Sequence, residues 1–129
     1  MNFPPDHPLT ERVRRICMGY PEAVEVISHG RCTFRAGKRQ FAIVGVDDIG
    51  AVLFVPDDSE RLALVERADV FIPPYEGAYG WLAIRVTADT GDWPLLAELL
   101  DTSYRQVALQ RQLRALEEGG AAASGLDSP

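Results

Sequence analysis

The sequence predicts an α+β fold, a two-layer domain in which an antiparallel sheet of about five strands is covered by about three helices. Three observations lead to this prediction. Short β-branched and aromatic segments follow one another closely, segments with helical periodicity flank them, and the gaps between neighbouring strand candidates fit tight turns. Because strands joined by short turns pair antiparallel, we expect one antiparallel sheet.

The length of 129 residues is sufficient for one domain with a real hydrophobic core. Residues 10–118 are predicted to form it. Residues 1–9 are expected to be an irregular arm, and residues 119–129 a disordered tail that has almost nothing to bury. No apolar run approaches the roughly 20 residues of a membrane span, and the N-terminus does not resemble a signal peptide. We therefore expect a cytoplasmic protein without a membrane partner.

The first predicted helix is capped by Thr10, and Gly19 and Pro21 end it. Its inner side carries Val13, Ile16 and Cys17. Three strands are then predicted at residues 31–35, 40–46 and 51–55. The turns between them are short enough for hairpins.

A second helix is predicted after Pro56, because Asp57 and Glu60 are spaced as in a capping box. Its inner residues should be Leu62, Val65 and Ala68. Two more strands are expected at residues 70–72 and 81–88, which makes a second hairpin. Asp92 and Pro94 begin a last long helix, and its apolar stripe contains Leu96, Leu99, Leu100, Ser103 and Val107.

The sequence contains no recognisable catalytic or metal-binding pattern. Its two histidines, His7 and His29, are far apart, and Cys17 and Cys32 do not form a C-x-x-C pair. Both cysteines are predicted to be reduced packing residues. Ser28 next to His29 lacks the nucleophile elbow of a hydrolase. We therefore expect a protein that is not an enzyme and that uses no cofactor.

The charge is unevenly distributed along the chain, although the formal net charge is −6. Residues 1–40 contain seven basic and four acidic side chains, whereas residues 41–129 contain six and fifteen. Four of the cations cluster on the first predicted hairpin, at Arg31, Arg35, Lys38 and Arg39. A two-stranded ribbon with a basic tip is suited to bind DNA through its phosphates. The alternative is a solvated edge hairpin whose charges discourage aggregation.

Arg12, Arg14 and Arg15 of the first helix are candidates to extend this basic patch. A separate hypothesis concerns the aromatic residues Tyr75, Tyr79, Trp81 and Tyr104, which could line a groove for a small molecule or a protein. The alternative is that these rings pack across strands or cover the core. Ser103 is expected to bond back to the carbonyl four residues earlier in its helix. The sequence leaves the oligomeric state open.

The order and spacing of several short motifs resemble the MmcQ/YjbR family across about residues 10–115. These motifs are Pro21, His29-Gly30, Thr33-Phe34, Gly37-Lys38, Phe41-Ala42, Pro73-Pro74-Tyr75, Gly80-Trp81 and Ser103-Tyr104. The resemblance implies a double-wing fold, in which two β-hairpin wings lie beside helices. It also implies DNA binding, a function that agrees with the basic first hairpin.

Overall fold

The computed structural model describes residues 2–119, in which helices pack on one face of a six-stranded sheet. The helices are α1 (Pro8–Cys17), α2 (Arg61–Val65), α3 (Trp93–Val107) and α4 (Gln110–Gly119). The strands are β1 (Ala23–Ser28), β2 (Arg31–Ala36), β3 (Arg39–Val44), β4 (Ala51–Phe54), β5 (Val70–Phe71) and β6 (Leu82–Arg85). Short 3-10 helices at Asp58–Glu60 and Glu76–Tyr79 precede α2 and β6.

The strand order is β1-β2-β3-β4-β6-β5, and each neighbouring pair is antiparallel. The predicted α+β class with one antiparallel sheet is therefore confirmed. The two strands of the second predicted hairpin, β5 and β6, pair directly but are shorter than expected.

Strand β1 is missing from the sequence prediction. It forms one edge of the sheet, where Val24 and Ile27 remain exposed. Buried and exposed residues do not alternate along β1, so it lacks the pattern by which a strand with one buried face is recognised in a sequence. A turn of His29 and Gly30 joins β1 to β2, and both residues have positive φ, 54° and 76°. Two such residues are typical of a type I′ hairpin turn. His29 therefore lies within a hairpin turn that precedes the first hairpin predicted from the sequence.

The sheet has two apolar faces of unequal size. The larger face carries residues such as Phe34, Phe54 and Leu82, which pack with α1 and α3 to form the main core. The opposite face, which we call the second face, carries a small cluster of Ile43, Leu53 and Ala83, and Phe71 and Trp81 pack against it. Because side chains alternate along a strand, Arg31, Thr33 and Arg35 of β2 belong to this second face.

A β-bulge decides which residues of β3 join them. Phe34 pairs with Ala42 but Arg35 pairs with Gln40, so Phe41 is an extra residue in β3. Phe41 and Ala42 consequently both face the main core, where both are fully buried. Gln40 is left beside Arg35 on the second face.

Helix α1 begins earlier than predicted, and its cap is a different residue. His7 Nδ1 accepts a hydrogen bond from the Leu9 amide at 3.0 Å, which makes His7 the N-cap. Thr10, the predicted cap, is buried within the helix and donates to the Phe3 carbonyl at 3.1 Å. The prediction for Thr10 is therefore wrong. Phe3, from the segment expected to be irregular, belongs to the main core.

The cap ahead of α2 is confirmed, but its predicted inner face is wrong at two of three residues. Asp57 accepts a hydrogen bond from the Ser59 amide at 3.0 Å. Val65 packs against the main core as predicted, whereas Leu62 is 79% exposed, Ala68 is exposed, and Leu64 is the buried residue of α2. The 3-10 turn at Asp58–Glu60 has about 3.0 residues per turn instead of about 3.6, and it shifts the buried face away from the residues predicted for a regular helix.

Helix α3 agrees with its prediction. Asp92 accepts a hydrogen bond from the Leu95 amide at 3.1 Å, and Pro94 lies in the first turn. The predicted apolar stripe is buried, and its residues are Leu96, Leu99, Leu100, Ser103 and Val107. The helix stops at Ala108, which has extended backbone, and α4 continues as a separate helix. Gly119, the first residue of the predicted tail, ends α4, and residues 120–129 lie outside the described residues.

Cys17 and Cys32 are both buried and free, as predicted for packing residues. Burial raises the pKa of both thiols above the ordinary value. Over residues 2–119, no helix combines the length and the apolar character needed to cross a membrane.

Candidate nucleic-acid interface

The β2–β3 hairpin carries the cations that the sequence predicts as DNA ligands. Gly37 and Lys38 form its turn, and Gly37 has a φ of 70°. Lys38 and Arg39 are exposed at the tip, while Arg35 extends from the second face. The Arg35 Nε atom is buried, and it has no hydrogen-bond partner among residues 2–119. The two Nη atoms are not among the buried unpaired atoms and form no hydrogen bond within the described residues, so they are the Arg35 donors that an external acceptor can reach.

Arg35, Lys38 and Arg39 line one groove of about 670 Å³, together with Arg61. We call this surface the basic groove. It lies between the hairpin tip, the start of α2 and the end of α3. Its other side chains include Gln40, Tyr79 and Trp81. The cationic hairpin and part of the aromatic cluster, which the sequence treats as separate hypotheses, thus meet in one concave surface.

Arg61 is a groove residue that sequence reasoning missed. Its Nη2 atom donates to the Gly80 carbonyl at 2.9 Å and contacts the Asp58 carboxylate at 3.3 Å. The first contact joins the start of α2 to the segment before β6, two regions that are distant in sequence. Only the capping signal at Asp57 indicated that a helix begins here, and nothing in the sequence shows which way Arg61 points.

The basic groove is locally cationic although the whole chain is acidic. None of the carboxylates of residues 2–119 forms an ion pair with Arg35, Lys38 or Arg39. Asp58 also lines the groove and pairs with Arg61, but its carboxylate side chain is 94% exposed, and exposed pairs are weak. The groove therefore presents its positive charge largely uncompensated to a ligand.

Arg31, the fourth predicted cation, does not belong to the basic groove. It forms an ion pair with Glu76 and donates to the Gly45 carbonyl at 3.3 Å. Both side chains of this pair are partly buried, which keeps the charge of Arg31 engaged within the protein. The structure thus unites three of the four predicted cations and separates Arg31 from them.

The first helix does not extend the patch. Arg14 forms an ion pair with Glu25 at 2.7 Å. The Arg12 guanidinium lies 4.1 Å from the centroid of the Trp93 ring and donates to the Ala88 carbonyl. Helix α1 packs on the main core face, opposite the second face. The predicted extension through Arg12, Arg14 and Arg15 is therefore wrong.

Tyr104 does not line a groove with the other aromatic residues, so that part of the prediction is also wrong. Its side chain is fully buried, its ring stacks on Tyr20 with 4.6 Å between centroids, and its hydroxyl donates to the Pro21 carbonyl at 2.7 Å. Burial raises the pKa of Tyr104 to about 12. The ring is a core residue, as the packing alternative expects.

Ser103 also bonds differently from the prediction. Its hydroxyl donates to the Phe41 carbonyl at 2.6 Å and accepts from the Val55 amide at 2.8 Å. It does not bond back within its own helix, because β3 and the end of β4 offer unpaired backbone groups beside it. Ser103 therefore holds α3 to the sheet.

A second concavity of about 490 Å³ adjoins the basic groove, and we call it the side cavity. Its lining includes Ser28, Thr33, Tyr75 and Glu76, and Gln40 and Trp81 line both the cavity and the groove. Tyr75 is 81% exposed and Tyr79 is 84% exposed, whereas Trp81 is only partly exposed. The Glu76 Oε1 atom is buried without a hydrogen-bond partner in residues 2–119. The predicted aromatic groove is thus replaced by two adjoining concavities that share Trp81.

The pair of Ser28 and His29 is in contact at the edge of the side cavity. Ser28 Oγ lies 3.2 Å from His29 Nδ1, and His29 is exposed in its turn. Within the described part of the chain, no group of three or more His, Cys, Asp or Glu side chains is placed to hold a metal ion.

A sequence profile of the YjbR family matches residues 18–106, more than half of the chain. The chain belongs to the YjbR family. No curated protein matches it.

The YjbR match extends from the end of α1 to the end of α3, so it includes the whole sheet and every residue of the basic groove except Val107. Several residues that carry the resemblance have structural roles here. His29-Gly30 and Gly37-Lys38 form turns, and Ser103 and Tyr104 join α3 to the rest of the domain. YjbR membership therefore accounts for the fold. The ligand has to be inferred from the chemistry of the basic groove.

Proposed function

We propose that this YjbR domain binds DNA through its phosphate backbone and is not an enzyme. The observation that supports the proposal is the convergence of Arg35, Lys38, Arg39 and Arg61 on one groove. Lys and Arg neutralise phosphates and release condensed counterions, which gives sequence-independent affinity. The cytoplasmic location predicted from the sequence remains part of this proposal.

The basic groove suits a phosphate chain in three respects. Its cations come from two separate elements, the β2–β3 hairpin and α2, so more than one phosphate can be contacted. Arg35 has no acidic partner within the described residues, and its Nη atoms form no hydrogen bond there. Tyr79 and Trp81 supply ring surface beside the cations, a combination typical of nucleic-acid grooves.

The test is a fluorescence titration of labelled DNA at several salt concentrations between about 50 and 200 mM. If all four cations meet phosphates, log K against log salt has a slope of up to about −3.6. Changing Lys38→Ala and Arg39→Ala together reduces that slope by up to about 1.8. These two side chains are exposed, so the fold is preserved.

The matched control is Arg15→Ala with Arg114→Ala, which removes the same charge from exposed positions outside the basic groove. This control is expected to leave the salt slope unchanged. Absence of DNA binding at about 50 mM salt, or an equal loss of slope in the control, contradicts the proposal.

Small-molecule binding is a second candidate function, and the side cavity favours it. Its volume of about 490 Å³ lies within the roughly 300–1,000 Å³ of ligand pockets. A thermal-shift screen of planar metabolites tests this candidate. Genuine ligands raise the melting temperature, and Tyr75→Ala reduces that rise without unfolding the protein, because Tyr75 is exposed.

A further inference from the structure

The side cavity and the basic groove form one continuous surface with two different chemical characters. Gln40 and Trp81 line both of them. The groove is cationic, whereas the cation of the cavity, Arg31, is already paired with Glu76. A ligand that spans both must therefore have an anionic part and an uncharged part that forms hydrogen bonds.

The unpaired carboxylate oxygen of Glu76 determines which hydrogen-bonding group the uncharged part of the ligand needs. Glu76 Oε2 is held by Arg31, while Oε1 is buried and has no partner among residues 2–119. An ionised carboxylate only accepts hydrogen bonds, and a buried acceptor without a donor costs free energy. A ligand N–H that enters the cavity and displaces the atoms that cover Oε1 removes that cost.

The other walls of the cavity favour a planar ring. Trp81 is partly exposed between the two concavities, and the exposed Tyr75 lies at the cavity. Aromatic side chains stack on nucleobases whatever their sequence. The amide of Gln40, which forms no side-chain hydrogen bond within the described residues, offers a donor and an acceptor to a base edge.

We propose that the side cavity receives an unpaired nucleobase with an exocyclic amino group, whose phosphate lies in the basic groove. The amino group donates to Glu76 Oε1, and the ring stacks on Trp81. In a duplex both faces of the base are covered by its neighbours, so the ring cannot stack on Trp81, and the ligand is a single strand or a free nucleotide. This inference rests on the proposed function and adds a preference for unpaired bases.

The preference is tested by fluorescence anisotropy with DNA oligomers of equal length. Oligo-dC is expected to bind about tenfold or more tightly than an abasic oligomer of equal charge, because stacking contributes for each base. Oligo-dC should also bind more tightly than the duplex and than oligo-dT, which has no amino group. Competition with free dCMP distinguishes a single strand from a free nucleotide as the ligand. If the ligand is a strand, unlabelled oligo-dC displaces the labelled oligomer at a concentration at least about tenfold lower than dCMP does.

Two variants separate base recognition from phosphate binding. In Glu76→Gln, Arg31 retains the amide oxygen and the amide NH₂ replaces the free acceptor, so the preference for oligo-dC over oligo-dT is lost or reversed. In Gln40→Ala the preference for oligo-dC over the abasic oligomer decreases, and this variant removes no internal side-chain hydrogen bond of the described residues. Gln40→Ala is expected to retain the salt slope of the wild-type protein, whereas Glu76→Gln leaves Arg31 without a carboxylate partner and steepens the slope by up to about 0.9.

The outcomes distinguish this inference from the proposed function. Equal affinity for oligo-dC and the abasic oligomer, with the salt slope intact, overturns the nucleobase site and leaves phosphate binding in place. Tighter binding of the duplex than of oligo-dC also overturns it. Absence of salt-dependent binding to every oligomer overturns both proposals.

Discussion

Two adjacent buried hydroxyl groups, on Ser103 and Tyr104, fix the last long helix to the rest of the domain. Ser103 bridges the Phe41 carbonyl and the Val55 amide, and Tyr104 donates to the Pro21 carbonyl. Phe41 is the bulge residue of β3, and Val55 and Pro21 lie outside the strands and helices, so these hydroxyls satisfy backbone groups that the regular structure leaves unpaired. Because unpaired buried polar groups are costly, these contacts contribute more than their number suggests.

Ser103→Ala is expected to destabilise the protein by about 2–3 kcal/mol, because it leaves both the Phe41 carbonyl and the Val55 amide without a partner. Tyr104→Phe keeps the packed ring and removes one hydrogen bond, so a loss of about 1 kcal/mol is expected. Urea denaturation measures the free energy of unfolding of both variants, provided that the m value is unchanged. Thr102→Ala is the control on the same helix, and an equal loss in all three variants contradicts the assigned roles.

Tight connections between elements determine how the strands of the sheet are placed, and glycine is required at some of them for different reasons. Gly30 has a φ of 76° in the β1–β2 turn, and a Cβ there meets no atom within 4 Å. Gly50, which precedes β4, has a φ of 132°, and a Cβ there overlaps the Val86 carbonyl oxygen. Gly30 is therefore required only for its left-handed backbone conformation. Gly50 is required for its backbone conformation and also because a side chain has no space there.

Gly30→Ala is therefore expected to cost about 1 kcal/mol, which is the penalty of the left-handed backbone alone. Gly50→Ala is expected to cost about 3 kcal/mol or more, because backbone strain and steric overlap add together. Chemical denaturation of the two variants compares them directly. A smaller loss for Gly50→Ala than for Gly30→Ala contradicts this explanation.

Helix α4 is held to the domain by a polar contact beside its buried Leu116. Glu22 accepts hydrogen bonds from Arg111 at 2.9 Å and from Gln112 at 2.8 Å. These bonds, that of Arg111 first, lower the pKa of Glu22 from 4.5 to about 2. A lowered carboxyl pKa stabilises the folded state above the unfolded pKa, and the contribution is lost as the pH falls through the folded pKa.

The attachment of α4 is thus expected to weaken as the pH decreases from about 4.5 to about 2. The protection factors of the Leu113 and Leu116 amides, which are corrected for the intrinsic pH dependence of exchange, should decrease over this range, and NMR should place the titration of the Glu22 carboxyl near its lower limit. Glu22→Gln is the control, because it removes the titrating group. The same acid-dependent loss of protection in that variant contradicts the role of Glu22.

At the scale of the whole molecule, a cationic surface belongs to a chain with a net charge of −6. Most acids lie elsewhere or pair with other arginines, such as Asp47 with Arg85 and Asp69 with Arg67. Ionic strength therefore controls which charges of the protein act on a DNA molecule. At low salt the charges of the whole protein act on it, whereas at physiological salt only charges within about 8 Å of the DNA contribute strongly.

Neutralising two exposed acids on the helical side, by Glu11→Gln with Glu98→Gln, tests this separation. DNA affinity is expected to increase about twofold to fivefold at about 10 mM ionic strength, where the Debye length is roughly 30 Å, and to remain unchanged at about 0.15 M. Titrations at the two salt concentrations measure the effect. An equal increase at both concentrations indicates that these acids lie close to the bound DNA.

Local patterns predicted much of this fold, because the causes of those patterns are local. The stripe of α3, the Asp92 and Asp57 caps and the β2–β3 hairpin follow from periodicity and capping, which depend on neighbouring residues. The missed elements lack such local signals. The edge strand β1 keeps Val24 and Ile27 exposed, and the 3-10 turn before α2 changes which residues face the core.

The sequence by itself determined the α+β class, the family resemblance and the presence of a basic hairpin. Only the tertiary structure decided which of its cations act together, because ion pairing and cavity formation depend on residues that are distant in the chain. Glu76 engages Arg31, the bulge at Phe41 aligns Gln40 with Arg35, and the contact of Arg61 with Gly80 adds a cation from another element. Charge composition shows that cations are present, whereas long-range packing decides which of them remain free to bind.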